Sequence, residues 1–323
     1  MRVLGYVVRR LLWAVVLCLV LSLVTFIIFY VIPTNRVQTR GGGFTDLGRA
    51  SQLSGPIFER YVEFVTHVFT GSMGNSFFSR RSVNEILLDA VPVTLSLTIG
   101  GAILWMLIAL PLGVLSALRP RSLVDRSATT LVLIGFSAHP LWLGLMFSYL
   151  FGFKLHVLPA SGYCDLINPG NRCGGVVEWF THLLMPWMTF ALFFAALYVR
   201  MIRASVAEAL HEDYVRSARA KGLSEWNAVR THVLPNAILP VIAMLAMDIG
   251  RFALPTALFV ETAFGLPGLG KVLYESLIRN DLPVLVGVVI FTALAVALLN
   301  LITDLLYGLC DPRVRARGTP VPL

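Results

Sequence analysis

Long stretches without a single charged side chain constrain this chain more than any other feature of its sequence. Uncharged runs cover residues 11–33, 90–118, 127–153, 183–199 and 282–303, and a sixth apolar run, 233–260, is interrupted only by Asp248 and Arg251. A helix crosses the hydrocarbon core of a bilayer in roughly 17 to 25 apolar residues, so each run is long enough to span. A composition of 57% hydrophobic and 14% charged residues in 323 is too apolar for a soluble globule. The expected fold class is an all-α membrane protein with six transmembrane helices.

The first run has Arg9 and Arg10 before it but no short apolar segment followed by an Ala-x-Ala-like site, so it is predicted to be a retained anchor and not a cleaved signal. Six spans place both termini on one side. Arg2, Arg9, Arg10, Arg119, Arg121, Arg126, Arg313, Arg315 and Arg317 fall on that side, with Arg200, Arg203, Arg216, Arg219, Lys221 and Arg230 in the loop after the fourth run. The short loops opposite carry few basic residues, which makes the termini cytoplasmic. This flanking accounts for most of the +8 net charge, so no nucleic-acid partner is needed to explain it.

The expected organisation is a cytoplasmic flank and first span (1–33), an external segment (34–89), a five-helix core (90–310) containing a cytoplasmic loop at 200–235, and a cytoplasmic tail (311–323). In the external segment Ile57, Tyr61, Phe64, Val65 and Val68 recur at helical spacing, predicting a surface helix. Cys164 and Cys173 share the external loop YCDLINPGNRC, where a disulfide between them is expected over two free thiols, while Cys18 and Cys310 read as small apolar residues in or beside spans.

The loop at 200–235 is the most informative polar element. It predicts a helix, a break at Gly222, an N-cap at Ser224, a second short helix and a stop at Pro235. Leu223, Trp226 and Val229 fall three apart, giving that second helix one apolar face. Such a face in the cytosol calls for a partner, or else for an interfacial helix lying on lipid headgroups.

At this loop the sequence resembles the membrane-spanning permease subunits of ATP-binding-cassette importers, whose cytoplasmic signature E-A-A-x3-G-x9-I-x-L-P falls here on Arg216, Ser217, Ala218, Gly222, His232, Leu234 and Pro235. Arg216 replaces the leading Glu and His232 the Ile, departures that resemble the peptide-importer branch, as does the stretch YVRSARAKG. The stretches PLWLGLMFSYLF, LPASGY, VETAFGLPGLG and LLNLITDLLYGLCDPRVR are similar to segments of the oligopeptide, dipeptide and nickel permeases, in the same order. The anchor followed by a long external loop resembles the first, B-type, member of their paired permeases. The resemblance covers nearly the whole chain and is weakest over 34–56.

It implies the type I importer permease fold and a function as the membrane-spanning subunit of an ATP-driven peptide importer in a bacterial inner membrane. The implied partners are a second, related permease, cytoplasmic ATPases that hold ATP and Mg, and an external substrate-binding protein; this chain carries no cofactor. It further implies that Arg216, Ser217, Ala218, Arg219, Lys221, Gly222, Leu223, Ser224, Glu225 and Trp226 form a coupling helix seated in an ATPase groove. Dipeptides, longer peptides, glutathione-like molecules and nickel chelates remain open as cargo.

The stretch GLPGLGKV looks at first like a phosphate-binding loop, but Val272 follows Lys271 where a hydroxyl residue would be needed for Mg²⁺, and the stretch lies on the external side. By the resemblance, Gly265, Pro267, Gly268 and Gly270 form a turn that closes the outer mouth. Asp248 and Arg251, three apart on the fifth span, either line the translocation path or satisfy each other or the partner permease; a charge at mid-membrane costs about 2.5–3.5 kcal/mol on insertion scales. Glu261 either helps gate the mouth or is a solvated end charge. Asn300 and Asp304 favour helix packing or capping over ion coupling. Ser137 and His139, two apart, cannot act as nucleophile and base, and the histidines have no metal-ligand spacing. The rival function is an ion-coupled secondary transporter using Asp248, Arg251 and Asp304, for which no internal repeat is found.

Overall fold

The computed structural model describes residues 73–166, 173–249 and 254–310, with shorter helical pieces between Leu12 and Ile27 and five residues from Glu59 to Thr66. In chain order the helices are α1 (Val83–Leu118), α2 (Leu123–Ser137), α3 (Pro140–Phe147) continuing as a π-helical turn (Ser148–Lys154), α4 (Val176–Leu210), α5 (Asp213–Ala220), α6 (Glu225–Ala228) continuing as a second π-helical turn (Val229–Val233), α7 (Leu234–Asp248), α8 (Leu254–Phe264), α9 (Leu269–Arg279) and α10 (Leu282–Cys310). An isolated β-bridge joins Asn75 and Ser82. Four helical segments there are long and apolar enough to cross a membrane: Val83–Leu118, Val176–Leu210, Glu225–Leu245 and Leu282–Leu301.

Three expectations change in detail. The run 127–153 is not one helix: α2 ends at Ser137, Ala138 and His139 are extended with ψ 124° and 135°, and α3 restarts at Pro140. Proline alone does not explain this, since Pro92, Pro111 and Pro186 sit inside α1 and α4. At 140 the preceding His139 accepts the Leu141 N–H on its side chain at 3.2 Å, so a new helix start is capped where the old one lost a donor. Pro235 is not a stop: the chain stays helical through it, passing from the π-helical turn Val229–Val233 directly into α7. The run 183–199 is the middle of the longer helix α4. Most of the first apolar run lies outside the described residues, Cys18 included, as do Ile57, Phe64 and Val68. Of the external amphipathic helix, Tyr61 and Val65 are half-buried and Glu59, Val62 and Thr66 exposed, and the Tyr61 hydroxyl donates to the Leu19 carbonyl at 3.1 Å.

The chain divides into two compact units, Met1–Val91 with Val272–Leu301 and Pro92–Lys271 with Ile302–Leu323. In the larger unit α4 is central and packs against α2, α3, α7 and α8. Phe190, Phe194 and Tyr198 lie four apart on one face of α4 and surround the fully buried Trp105 of α1, with the Phe194 ring centroid 4.5 Å from the indole. In the smaller unit the buried Asp281, in the link between α9 and α10, accepts from the Ser76 hydroxyl and from the Phe77 N–H at 3.2 Å, so one carboxylate organises the turn that precedes α1.

Candidate functional site: a polar hook and a carboxylate-filled turn

Two constructions in the larger unit carry the predicted site residues. The first is the hook between α4 and α7. Helix α5 buries Val215 and Ala218 three residues apart and exposes Arg216, Ser217 and Arg219. It ends in a reciprocal pair of hydrogen bonds, Gly222 N–H to the Arg219 carbonyl at 2.9 Å and Leu223 N–H to the Ala218 carbonyl at 3.3 Å. That pattern needs a left-handed residue at the turn, and Gly222 has φ +87°. Ser224 then accepts the Asn227 N–H at 3.4 Å and starts α6, as expected from its position.

The apolar face expected on α6 is divided. Trp226 is 60% exposed and Leu223 is exposed too, but Val229 is only 2% exposed and sits in the core cluster. Leu223 precedes the extended Ser224 cap and so lies off the helix, while Val229 opens the π-helical turn that packs into the core. The result is an anchored projection: Val215, Ala218, Ala228 and Val229 hold it to the body, and Tyr214, Leu223 and Trp226 stand out beside Arg216, Arg219 and Lys221. Arg219 and Glu225 meet across the turn at 3.4 Å, an exposed pair of small energetic weight.

A polar brace that the sequence did not point to ties α1, α2 and α4 together. Asp125 accepts from the Ser116 hydroxyl at the end of α1, from the Arg121 N–H at 2.9 Å, and from Arg203 of α4 at 2.8 and 3.1 Å. The Ser116 hydroxyl, the Arg121 N–H and the Arg203 guanidinium hold this carboxyl below its ordinary value. The available signal was a lone acid within an otherwise basic flank.

The second construction is the turn that joins α8 to α9. Glu261 is fully buried, so it is not the solvated end charge that its position allowed. Its carboxylate accepts from the Thr94 hydroxyl at 2.7 Å, from the Gly270 N–H at 2.7 Å and from the Lys271 N–H at 3.1 Å, while the Leu269 N–H donates to the Thr94 oxygen at 2.9 Å. The carboxylate therefore fills the N-terminus of α9, whose free amides would otherwise attract an anion. Glycine is required on both sides of it. A Cβ at Gly268 would fall 2.3 Å from the Glu261 carboxylate, and one at Gly270 would fall 2.4 Å from the Leu258 backbone. The Lys271 ammonium donates to the Gly265 carbonyl at 3.0 Å, and Pro267 is exposed at the tip. The phosphate-loop likeness of GLPGLGKV ends here, since its amides and its lysine are occupied by the chain itself.

The other predicted residues fall as follows. Asp248 is 5% exposed and accepts the Tyr198 hydroxyl at 2.8 Å, while Arg251 lies outside the described residues. Cys164 and Cys173 are joined as a disulfide with Cα atoms 5.4 Å apart. Glu178 lies close to both, but sulfurs spent in a disulfide are not thiolate ligands for a metal. The His182 Nδ1 donates to the Glu178 carbonyl at 2.8 Å. The side chains of Asp304 and Cys310 lie outside the description.

The chain matches two family descriptions in succession: the N-terminal part of the binding-protein-dependent transport system membrane component over residues 3–98, and the "binding-protein-dependent transport system inner membrane component" over residues 109–316. It is 32% identical to the dipeptide transport system permease protein DppB of Escherichia coli (strain K12), covering 97% of this chain and 99% of that protein. The di/tripeptide transport system permease protein DppB of Pseudomonas aeruginosa (strain UCBPP-PA14) is also 32% identical, again over 97% and 99%. Among solved structures, an inward-facing MetNI methionine ABC transporter chain superposes with a TM-score of 0.56 at 19% identity, covering 70% of this chain and 96% of that one, a likeness of fold. The chain therefore belongs to the binding-protein-dependent transport system inner membrane component family, as a multi-pass permease subunit of an ATP-driven importer whose ATP is hydrolysed by separate subunits.

Proposed function

We propose that this permease imports short peptides, with both termini in the cytoplasm, as one half of a pair with a related permease. Its hook, residues 216–226, docks on a cytoplasmic ATPase, and an external binding protein delivers cargo to the outer mouth closed by Gly265, Pro267, Gly268 and Gly270. The observation that carries this reading is the hook itself: an exposed Trp226 and Leu223 in one segment with the exposed Arg216, Arg219 and Lys221, on a projection rooted in the core by Val215 and Val229. An aromatic anchor with basic neighbours suits a protein interface. Rigid roots allow a push on the projection to reach α4 and α7 as movement of whole helices. Peptide cargo is supported by the names of the relatives, which carry dipeptides and di/tripeptides.

The same reading assigns Asp248, Arg251 and Glu261 to the path. Asp248 and Glu261 are acids that the closed packing covers, and alternating access would change what covers them. In the experiment, the native assembly is purified in mild detergent, placed in proteoliposomes and supplied with labelled dialanine. Uptake is expected to require ATP, to stop with orthovanadate and to continue with a protonophore, and Trp226→Asp is expected to release the ATPase from the assembly. Cargo that still crosses when no ATP-hydrolysing chain is present overturns the proposal, and a protonophore block instead of a vanadate block assigns the chain to ion-coupled transport.

A further inference from the structure

The interruption between α2 and α3 has a polar composition that a lipid-facing kink would not tolerate. From Ser127, the first residue of the uncharged run, helix α2 rises 11 residues to Ser137, so the break stands about 16 Å along a span that crosses about 30 Å of hydrocarbon. It is held from both sides. A Cβ at Gly135 would fall 2.6 Å from the Leu192 carbonyl of α4, and one at Gly144 would fall 2.9 Å from Ala263 of α8. Close packing of each half on a different helix keeps the two from joining into one.

At the break, two backbone carbonyls lose their helical donors. The partner for Phe136 would be residue 140, a proline without an N–H, and the partner for Ser137 would be the Leu141 N–H, which His139 Nδ1 takes at 3.2 Å. Because Nδ1 accepts, the ring proton sits on Nε2 and makes that atom a donor. The ring itself is set edge-on to Phe259 of α8, with centroids 4.7 Å apart. Ser137 and His139 are exposed, with Ile134 and Trp142 beside them, around a cleft of about 560 Å³. Irregular backbone and polar side chains at membrane depth are tolerated where they are buried in protein or line a watery cavity, and polar residues there mark substrate paths.

We infer that this break is a cargo subsite in the translocation path, with His139 Nε2–H donating to the terminal carboxylate of a passing peptide and the Phe136 and Ser137 carbonyls accepting from its N–H groups. This rests on the peptide-import reading above. A peptide offers both donors and an anionic acceptor within a few ångströms, which matches a donor flanked by two carbonyls.

The test uses the assembled complex in proteoliposomes with labelled dialanine and alanyl-alanine amide as the two cargoes. His139→Asn keeps a capping acceptor for Leu141 but draws the donor back, and His139→Gln keeps a donor at roughly the reach of Nε2. For His139→Asn, KM for dialanine is expected to rise about tenfold and the preference for dialanine over its amide to fall about fivefold, because a bond to a charged acceptor is the stronger one. His139→Gln is expected to restore most of both. Wild-type KM values in His139→Asn overturn the inference, as does an equal loss for both cargoes. Release of the second permease from the purified His139→Asn assembly overturns it too, because the cleft would then be a subunit contact. A wild-type assembly that imports no dialanine overturns the peptide reading and the inference together.

Discussion

Replacing Glu261 by alanine tests the turn between α8 and α9 directly. The carboxylate takes the N–H groups of Gly270 and Lys271 and the hydroxyl of Thr94 in a place with no solvent exposure. Alanine leaves those donors without this acceptor and opens a space that Gly268 and Gly270 are too small to fill. A buried donor deprived of its partner costs about 1–3 kcal/mol. With two backbone amides fixed in place and a hydroxyl free to rotate elsewhere, the expected loss is about 2–4 kcal/mol. Glu261→Gln retains an oxygen for the two amides and turns its NH₂ toward Thr94, which can accept, so its loss is expected to be about half as large. Unfolding by SDS titration from mild detergent measures these differences. Combined with Thr94→Val, which removes the hydroxyl from the same network, Glu261→Ala is expected to show a coupling of at least about 1 kcal/mol. A loss below about 0.5 kcal/mol for Glu261→Ala, or additive losses in the double variant, refutes the clamp.

Three further outcomes follow from the geometry. Gly222 has φ +87° and open space around it, so Gly222→Ala is expected to destabilise the hook by about 1–2 kcal/mol through backbone conformation alone, with Gly222→Asn milder; faster hydrogen exchange at the Gly222 and Leu223 amides is the measurement, and unchanged exchange in the alanine variant would falsify this. Asp125 has its folded pKa depressed by the Ser116 hydroxyl, the Arg121 N–H and Arg203, so its stabilising contribution is complete above the ordinary carboxylate value and is lost as pH falls through the lower folded one. Asp125→Asn should therefore remove part of the acid sensitivity of unfolding, and an unaltered pH profile would count against the brace. Reducing the Cys164–Cys173 bridge, which closes a sequence separation of 9, should cost about 3 kcal/mol in denaturation from detergent, and equal midpoints with and without reductant would show that it contributes nothing.

How much of the site could be read in advance differed from residue to residue. Gly222 and Ser224 were legible because a helix end requires a left-handed residue and a helix start requires a side-chain acceptor, both of which are local demands. Val229 was not, because its burial depends on the core residues, distant in sequence, that cover it. Thr94, Ser116 and Tyr198 gave no signal. Each is an ordinary residue in an apolar or flanking stretch, and each acquires a role only when a carboxylate distant in sequence arrives beside it.

By itself the sequence determined that the chain is helical and spans a membrane, since long uncharged runs admit few other solutions. It also marked the hook and the glycine-proline turn by their local chemistry. Tertiary structure alone decided that the third apolar run breaks at His139, that Glu261 is enclosed and not solvated, and that Trp226 stands out while Val229 turns in. Those outcomes depend on which helix faces are covered by others, a quantity set by pairs of residues far apart in the chain and invisible to any local pattern.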